Sequence, residues 1–203
     1  MKPWKPLLIL ALLSPMQCVC AEEIKTYFPV SDRGGKAAIS SFEEEWYSSH
    51  LRLMKEPSLF VKRGDKTQDT YRFTFLPTWG DPRCTAITRS KDKTSIRFSR
   101  LDGDGGYDPG KLVEKAQRDL KPDEIKKFLE LFDAIDFAKQ PTEDPVMGFD
   151  GSQWILERLK DGKYHIVVRW TADAYDPKKR GTASFVDLCE WMLTTAPRNE
   201  KEK

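Results

Sequence analysis

Two histidines, His50 and His165, are the only side chains in this sequence that titrate near neutral pH without a perturbing environment. His50 shares a helical face with Phe42, Trp46 and Leu53, the setting of a packed histidine. His165 falls in a strand opposite Arg158, whose charge holds the imidazole pKa down and makes it a poor proton acceptor. The sequence contains no Gly-x-Ser-x-Gly elbow, phosphate-binding loop or His-Glu-x-x-His pair, and its His and Cys spacing assembles no metal site. No cofactor or metal is expected on these grounds.

Carboxylates offer two further chemistries. Asp102-Gly103-Asp104-Gly105-Gly106-Tyr107-Asp108 has the look of a calcium loop. A twelve-residue site starting at Asp102 would put Tyr107 where glycine is required and Val113 where a bidentate glutamate belongs, so a tight glycine-dependent turn is the simpler reading. Asp144, Asp150 and Glu157 flank a C-terminal hairpin beside Trp154 and Trp170, which supply an aromatic platform. That set supports an alternative reading as a carboxylate-dependent hydrolase of cell-wall or polysaccharide material, with two acids facing each other across a cleft.

The elements that must position these residues begin after residue 21. Met1–Ala21 runs from Lys2 and Lys5 through the apolar stretch Leu7–Leu13 to Val19-Cys20-Ala21, the order of an export signal cleaved before Glu22. The apolar run is too short to span a bilayer, which takes about 20 residues, so no membrane anchor is expected once the signal is removed. A periplasmic or secreted location follows. Two of the 34 basic residues leave with the signal and none of the 32 acidic ones do, so the mature chain carries 32 of each sign and gives no electrostatic case for nucleic acid. Cys18 and Cys20 leave as well. In an oxidising compartment the remaining Cys84 and Cys189 are either bridged or separately buried, on a strand and a helix.

Residues 22–197 read as one α+β domain and 198–203 as a charged, disordered tail. Ser41 and Glu44 form a capping box for a helix over 42–54. Tyr71, Phe73 and Phe75 alternate with Arg72 and Thr74 in a half-buried strand. Cys84–Arg89 and Thr94–Leu101 continue it as an antiparallel meander. After a glycine-rich loop, Pro122, Asp123 and Glu124 open a helix with Ile125, Phe128, Leu129, Phe132 and Ile135 on one stripe. Asp161-Gly162 is a type I′ turn that pairs Leu159 with Tyr164, Glu157 with Ile166, Ile155 with Val168 and Gln153 with Trp170. A last helix from about Ser184 buries Phe185, Leu188, Cys189 and Met192. The fold class is an antiparallel sheet, meander plus C-terminal hairpin, packed by two to three helices.

The segment Gly148–Glu157, followed by Asp161-Gly162-Lys163-Tyr164-His165 and Arg169-Trp170, resembles a stretch of uncharacterised bacterial exported proteins, as does the Gly105–Gly110 loop. The resemblance implies an exported bacterial domain and assigns no catalytic residue. The expected function is a non-enzymatic binding or accessory role towards another protein, an immunity or inhibitor protein being one version. The mixed face of the hairpin, Trp154, Arg158, His165 and Arg169, is the expected contact surface, because tryptophan and arginine dominate interface hot spots. Trp79 is a further candidate contact aromatic.

Overall fold

The computed structural model describes residues 26–31, 38–143 and 145–199. The expected signal Met1–Ala21 and the last four residues lie outside them. Six antiparallel strands form one sheet in the order β4-β3-β2-β1-β5-β6. They are β1 Asp69–Pro77, β2 Arg83–Arg89, β3 Thr94–Leu101, β4 Leu112–Asp119, β5 Ser152–Lys160 and β6 Lys163–Trp170. The first four are the meander; the β5–β6 hairpin returns to pair with the free side of β1. The hairpin register is the one expected, with Leu159 opposite Tyr164 and Gln153 opposite Trp170. Asp161 and Gly162 both have positive φ, as a type I′ turn requires.

Helices cover both faces of the sheet. On one face α2 (Pro122–Asp133) and α4 (Ala183–Thr195) pack Phe128, Phe132, Leu188 and Met192 onto Tyr71, Phe73, Trp154 and Val167. On the other, α1 (Ser41–Leu53) packs Tyr47 and Leu51 onto Leu76, Ile155 and Ile166. A four-residue helix, α3 (Pro177–Arg180), links β6 to α4. Two covered faces explain why β1 is not half-buried: its second face, Arg72 and Thr74, is as enclosed as its first. Arg72 is tolerated there because Nε and Nη2 donate to both Glu157 oxygens, at 2.6 and 2.8 Å, and Nη1 donates to the Pro57 carbonyl. Tyr164 Oη also donates to Glu157.

Three boundaries differ from the sequence expectation. The capping box of α1 is one residue earlier: Ser40 Oγ accepts from the Glu43 amide while Glu43 accepts from the Ser40 amide. Glu44 instead accepts from the Tyr27 amide and ties down the N-terminal segment. Strand β4 was not expected, since its alternation is of charge and half-exposure, the mark of an edge strand protected from further pairing. The ordered chain also runs past 197: the Arg198 guanidinium stacks on Phe98 and the Asn199 amide donates to Glu114.

Cys84 and Cys189 are both free and buried, Cys84 in the core under α1 and Cys189 in the core under α4. The sheet lies between them, so of the two readings the separately buried thiols are the one observed. Burial pushes the Cys84 thiol up to about 12 and raises Cys189 as well, which leaves both as inert core groups.

Candidate functional site

The four residues of the hairpin's mixed face are brought together, with Trp154 and Arg169 buried and Arg158 and His165 half-buried. Trp154 is 4% exposed, packed against Phe73, Phe75 and Phe185, and its Nε1 donates to Ser152 Oγ. Arg169 is equally buried; its guanidinium donates to the Pro141 and Thr142 carbonyls and to Gln140 Oε1. His165 Nε2 sits 3.0 Å from the Gln140 carbonyl, and its pKa is lowered mainly by burial and further by Arg158 and Arg169. Arg158 lies over the Phe137 ring. Together they fasten the segment 137–142 to the sheet. The expected contact surface is thus taken up by the protein's own chain, because the α2–α4 layer covers the hairpin face that the sequence left half-open.

The carboxylates are also accounted for locally. Glu157 is committed to Arg72. Asp150 is exposed at the head of β5, and Asp144 lies outside the described residues. In the Asp102–Asp108 loop, Asp102 accepts from the Lys111 amide, Asp104 from the Gly80 amide and Asp108 from the Gly110 amide. These bonds stitch a turn. Gly105 is required there, since a Cβ would lie 2.5 Å from the Pro77 carbonyl oxygen. His50 is buried on α1 with Nδ1 2.9 Å from the Trp46 carbonyl, and burial lowers its pKa.

What the fold leaves open is an aromatic cleft at the end of the sheet where β1 and β6 finish and β5 begins, on the α1 side. It has two lobes, about 550 and 440 Å³, that share Phe42, Trp46, Gly148, Gln153 and Trp170 as walls. Helix α1 supplies Phe42, Glu45 and Trp46 from its first two turns. The β3–β4 loop supplies Tyr107, the approach to β5 supplies Met147 and Phe149, and β6 ends in Trp170. Phe42 is 74% exposed, Met147 86%, and Phe149 is bare to solvent.

Trp46, Tyr107 and Trp170 are each held by a specific contact. Trp46 Nε1 donates to the Gly105 carbonyl at 2.6 Å, locking α1 to the β3–β4 loop. Tyr107 stacks on Trp79 with ring centroids 4.7 Å apart, so Trp79, 66% exposed, extends the rim. Trp170 stacks on Tyr175 and packs against the chain at Gly148, where a Cβ would lie 2.1 Å from its ring. Glycine is the only residue that lets the ring lie so close.

The smaller lobe carries a carboxyl pair. Glu143 is hydrogen-bonded to Glu43, whose oxygens also accept from the Ser40 amide and hydroxyl and from Tyr47 Oη. Partial burial, then the charge of Glu43 and the shared hydrogen bond, lift Glu143 from its ordinary 4.5 to about 7. Glu43 is the acceptor and Glu143 the group that keeps its proton into the neutral range.

Of the α1 face expected from the sequence, Phe42, Trp46, His50 and Leu53, only His50 is buried; Phe42 and Trp46 face the cleft and Leu53 is exposed, while the core face of the helix is Tyr47 and Leu51. Tyr107, Phe149 and Trp170 are far apart in sequence and lack a shared period, so only the fold assembles them. No protein-family model matches the chain, and no curated protein matches it.

Proposed function

We propose that this chain is an exported, non-enzymatic binding or accessory protein whose ligand seats in the aromatic cleft rather than on the hairpin face. The supporting observation is convergence: Phe42, Trp46, Tyr107, Phe149 and Trp170 come from four separate segments to line one open cleft. Folding alone gains little from exposing them, since apolar patches of this kind on a protein surface mark interaction sites. The export signal at Met1–Ala21 and the resemblance to exported bacterial proteins support a role in the envelope or outside it.

A photo-crosslinking benzophenone placed at Phe149, with a control at Val113 on the exposed edge strand, tests this reading in the native envelope. A discrete adduct at 149, absent at 113 and lost in a Trp46→Ser background, is the expected result. Equal labelling at both positions, or none at 149, would overturn it.

One observation favours the hydrolase alternative. Glu143 stays protonated into the neutral range at the cleft wall, as a general acid must. Against it, the partner carboxylate is hydrogen-bonded to it, whereas hydrolytic carboxyl pairs stand about 5 to 10 Å apart with substrate between them. Turnover of purified peptidoglycan by the wild type but not by Glu143→Gln would favour the enzyme.

A further inference from the structure

The charges around the cleft narrow the ligand class. The chain has 34 lysines and arginines among 203 residues, yet among the described residues lining either lobe there is no Lys, Arg or His. Three lining residues are glutamates: Glu45 in the larger lobe, Glu43 and Glu143 in the smaller. Five other lining residues, Phe42, Trp46, Tyr107, Phe149 and Trp170, are aromatic, and aromatic faces carry negative quadrupole potential and attract cations. An anionic ligand would meet repulsion from both kinds of wall. A neutral apolar ligand would gain nothing from three acidic side chains and would have to desolvate them.

Shape narrows it further. The lobes, about 550 and 440 Å³, share walls and form one open groove, with the Tyr107–Trp79 stack at the rim of the larger lobe and Met147 along the smaller. A single small amine would occupy only one lobe. A peptide segment reaches both, with one side chain in each lobe.

We infer that the groove binds an extended basic segment of a partner protein, with a lysine or arginine side chain lying against Trp46 and Trp170 and its charge directed at Glu43, Glu45 and Glu143. The inference rests on the cleft being the binding site, as proposed above. Charge complementarity selects the partner: aromatic faces and carboxylates with no competing cation are the combination that recognises alkylammonium and guanidinium groups.

Titration of the purified protein by tryptophan fluorescence tests it with defined probes: blocked pentapeptides centred on arginine or lysine, their citrulline and norleucine isosteres, and free spermidine. Basic peptides should bind about tenfold more tightly than the isosteres. The double variant Glu45→Gln, Glu143→Gln should bring that ratio close to one, and spermidine should bind about tenfold more weakly than the peptides. Glu43 is left intact because it caps α1.

If the isosteres bind as well as the basic peptides, the cationic specificity is wrong while the cleft stands as a binding site. If spermidine binds as tightly as the peptides, the partner is a small amine and the peptide assignment is wrong. If no probe binds, the inference falls, and the crosslink at Phe149 separately decides whether the cleft is a site. A crosslinked adduct consisting of a second copy of this chain would also overturn it.

Discussion

The indole of Trp46 and the carbonyl of Gly105 are joined by a 2.6 Å hydrogen bond that spans 59 positions of chain. It couples the first turns of α1 to the loop carrying Tyr107, across the cleft. Trp46→Phe keeps an aromatic wall and removes the donor. Stability should fall by about 0.5–1.5 kcal/mol, the net worth of one such bond, measured by urea unfolding. Binding at the cleft should weaken by more than this loss of stability explains, because the tie between α1 and the loop is lost. Unchanged binding would mean that the loop position does not matter.

Arg72 and Glu157 form the most enclosed ion pair in the sheet. Removing one partner leaves the other charge buried without compensation, at a cost of about 3–5 kcal/mol. Glu157→Gln and Arg72→Met should each lower the denaturation midpoint severely. The double replacement should be less damaging than the sum of the two, and a double-mutant cycle in urea reads the difference.

Trp154 and Phe149 should separate fold from function. Trp154→Ala empties a core site against Phe73, Phe75 and Phe185 and should cost about 3–5 kcal/mol. Phe149→Ser removes a side chain bare to solvent and should leave the melting temperature within about a degree while reducing ligand binding. The opposite pattern would return the site to the hairpin face.

Where the sequence carries a local rule, it predicts the structure well. The Asp161-Gly162 turn dictates the β5–β6 register, and the stripes of α2 and α4 dictate their buried faces. Exposure is where local rules fail. Alternation in β1 implies one wet face, yet Arg72 is buried because Glu157 arrives from a strand 85 positions away. Trp154 and Arg169 look like interface residues by type, and only the covering helices and the 137–142 segment turn them into core. The cleft was legible only as the Phe42–Trp46 part of one helical stripe, because its other walls depend on which loops meet at the end of the sheet.

The sheet between Cys84 and Cys189 makes a redox prediction. Chain recovered from the envelope should begin at Glu22 by intact mass and show two free thiols when denatured without reductant. Native protein should resist thiol reagents, since burial raises both groups well above the usual thiol range. Rapid labelling of the folded protein would contradict this core placement.

The Glu43–Glu143 pair predicts two linked pH effects. A carboxyl whose pKa is raised on folding contributes stability that is complete below its ordinary 4.5 and is lost as pH climbs through about 7. His50 and His165 have lowered pKa values, so they act oppositely and favour the folded state as pH rises. Glu56 and Glu124, held down by Arg97 and Arg118, lose their contribution only on acidification below the ordinary carboxylate range. The comparison that isolates Glu143 is therefore the wild type against Glu143→Gln, which keeps a donor to Glu43 but cannot ionise. Between pH 5.5 and 7.5 the wild type should lose more melting temperature, or gain less, than the variant. The second effect has the opposite sign. Ionisation of Glu143 adds negative charge to the smaller lobe, where the titratable groups of α1 beside it are Glu43 and Tyr47; the Arg169 guanidinium of β6 is engaged on the other face of the sheet with the Pro141 and Thr142 carbonyls. Affinity for a basic peptide should rise from pH 5.5 to 8 in the wild type and stay flat in Glu143→Gln, as fluorescence titration across that range would read. Parallel curves for the two proteins would remove Glu143 from the site.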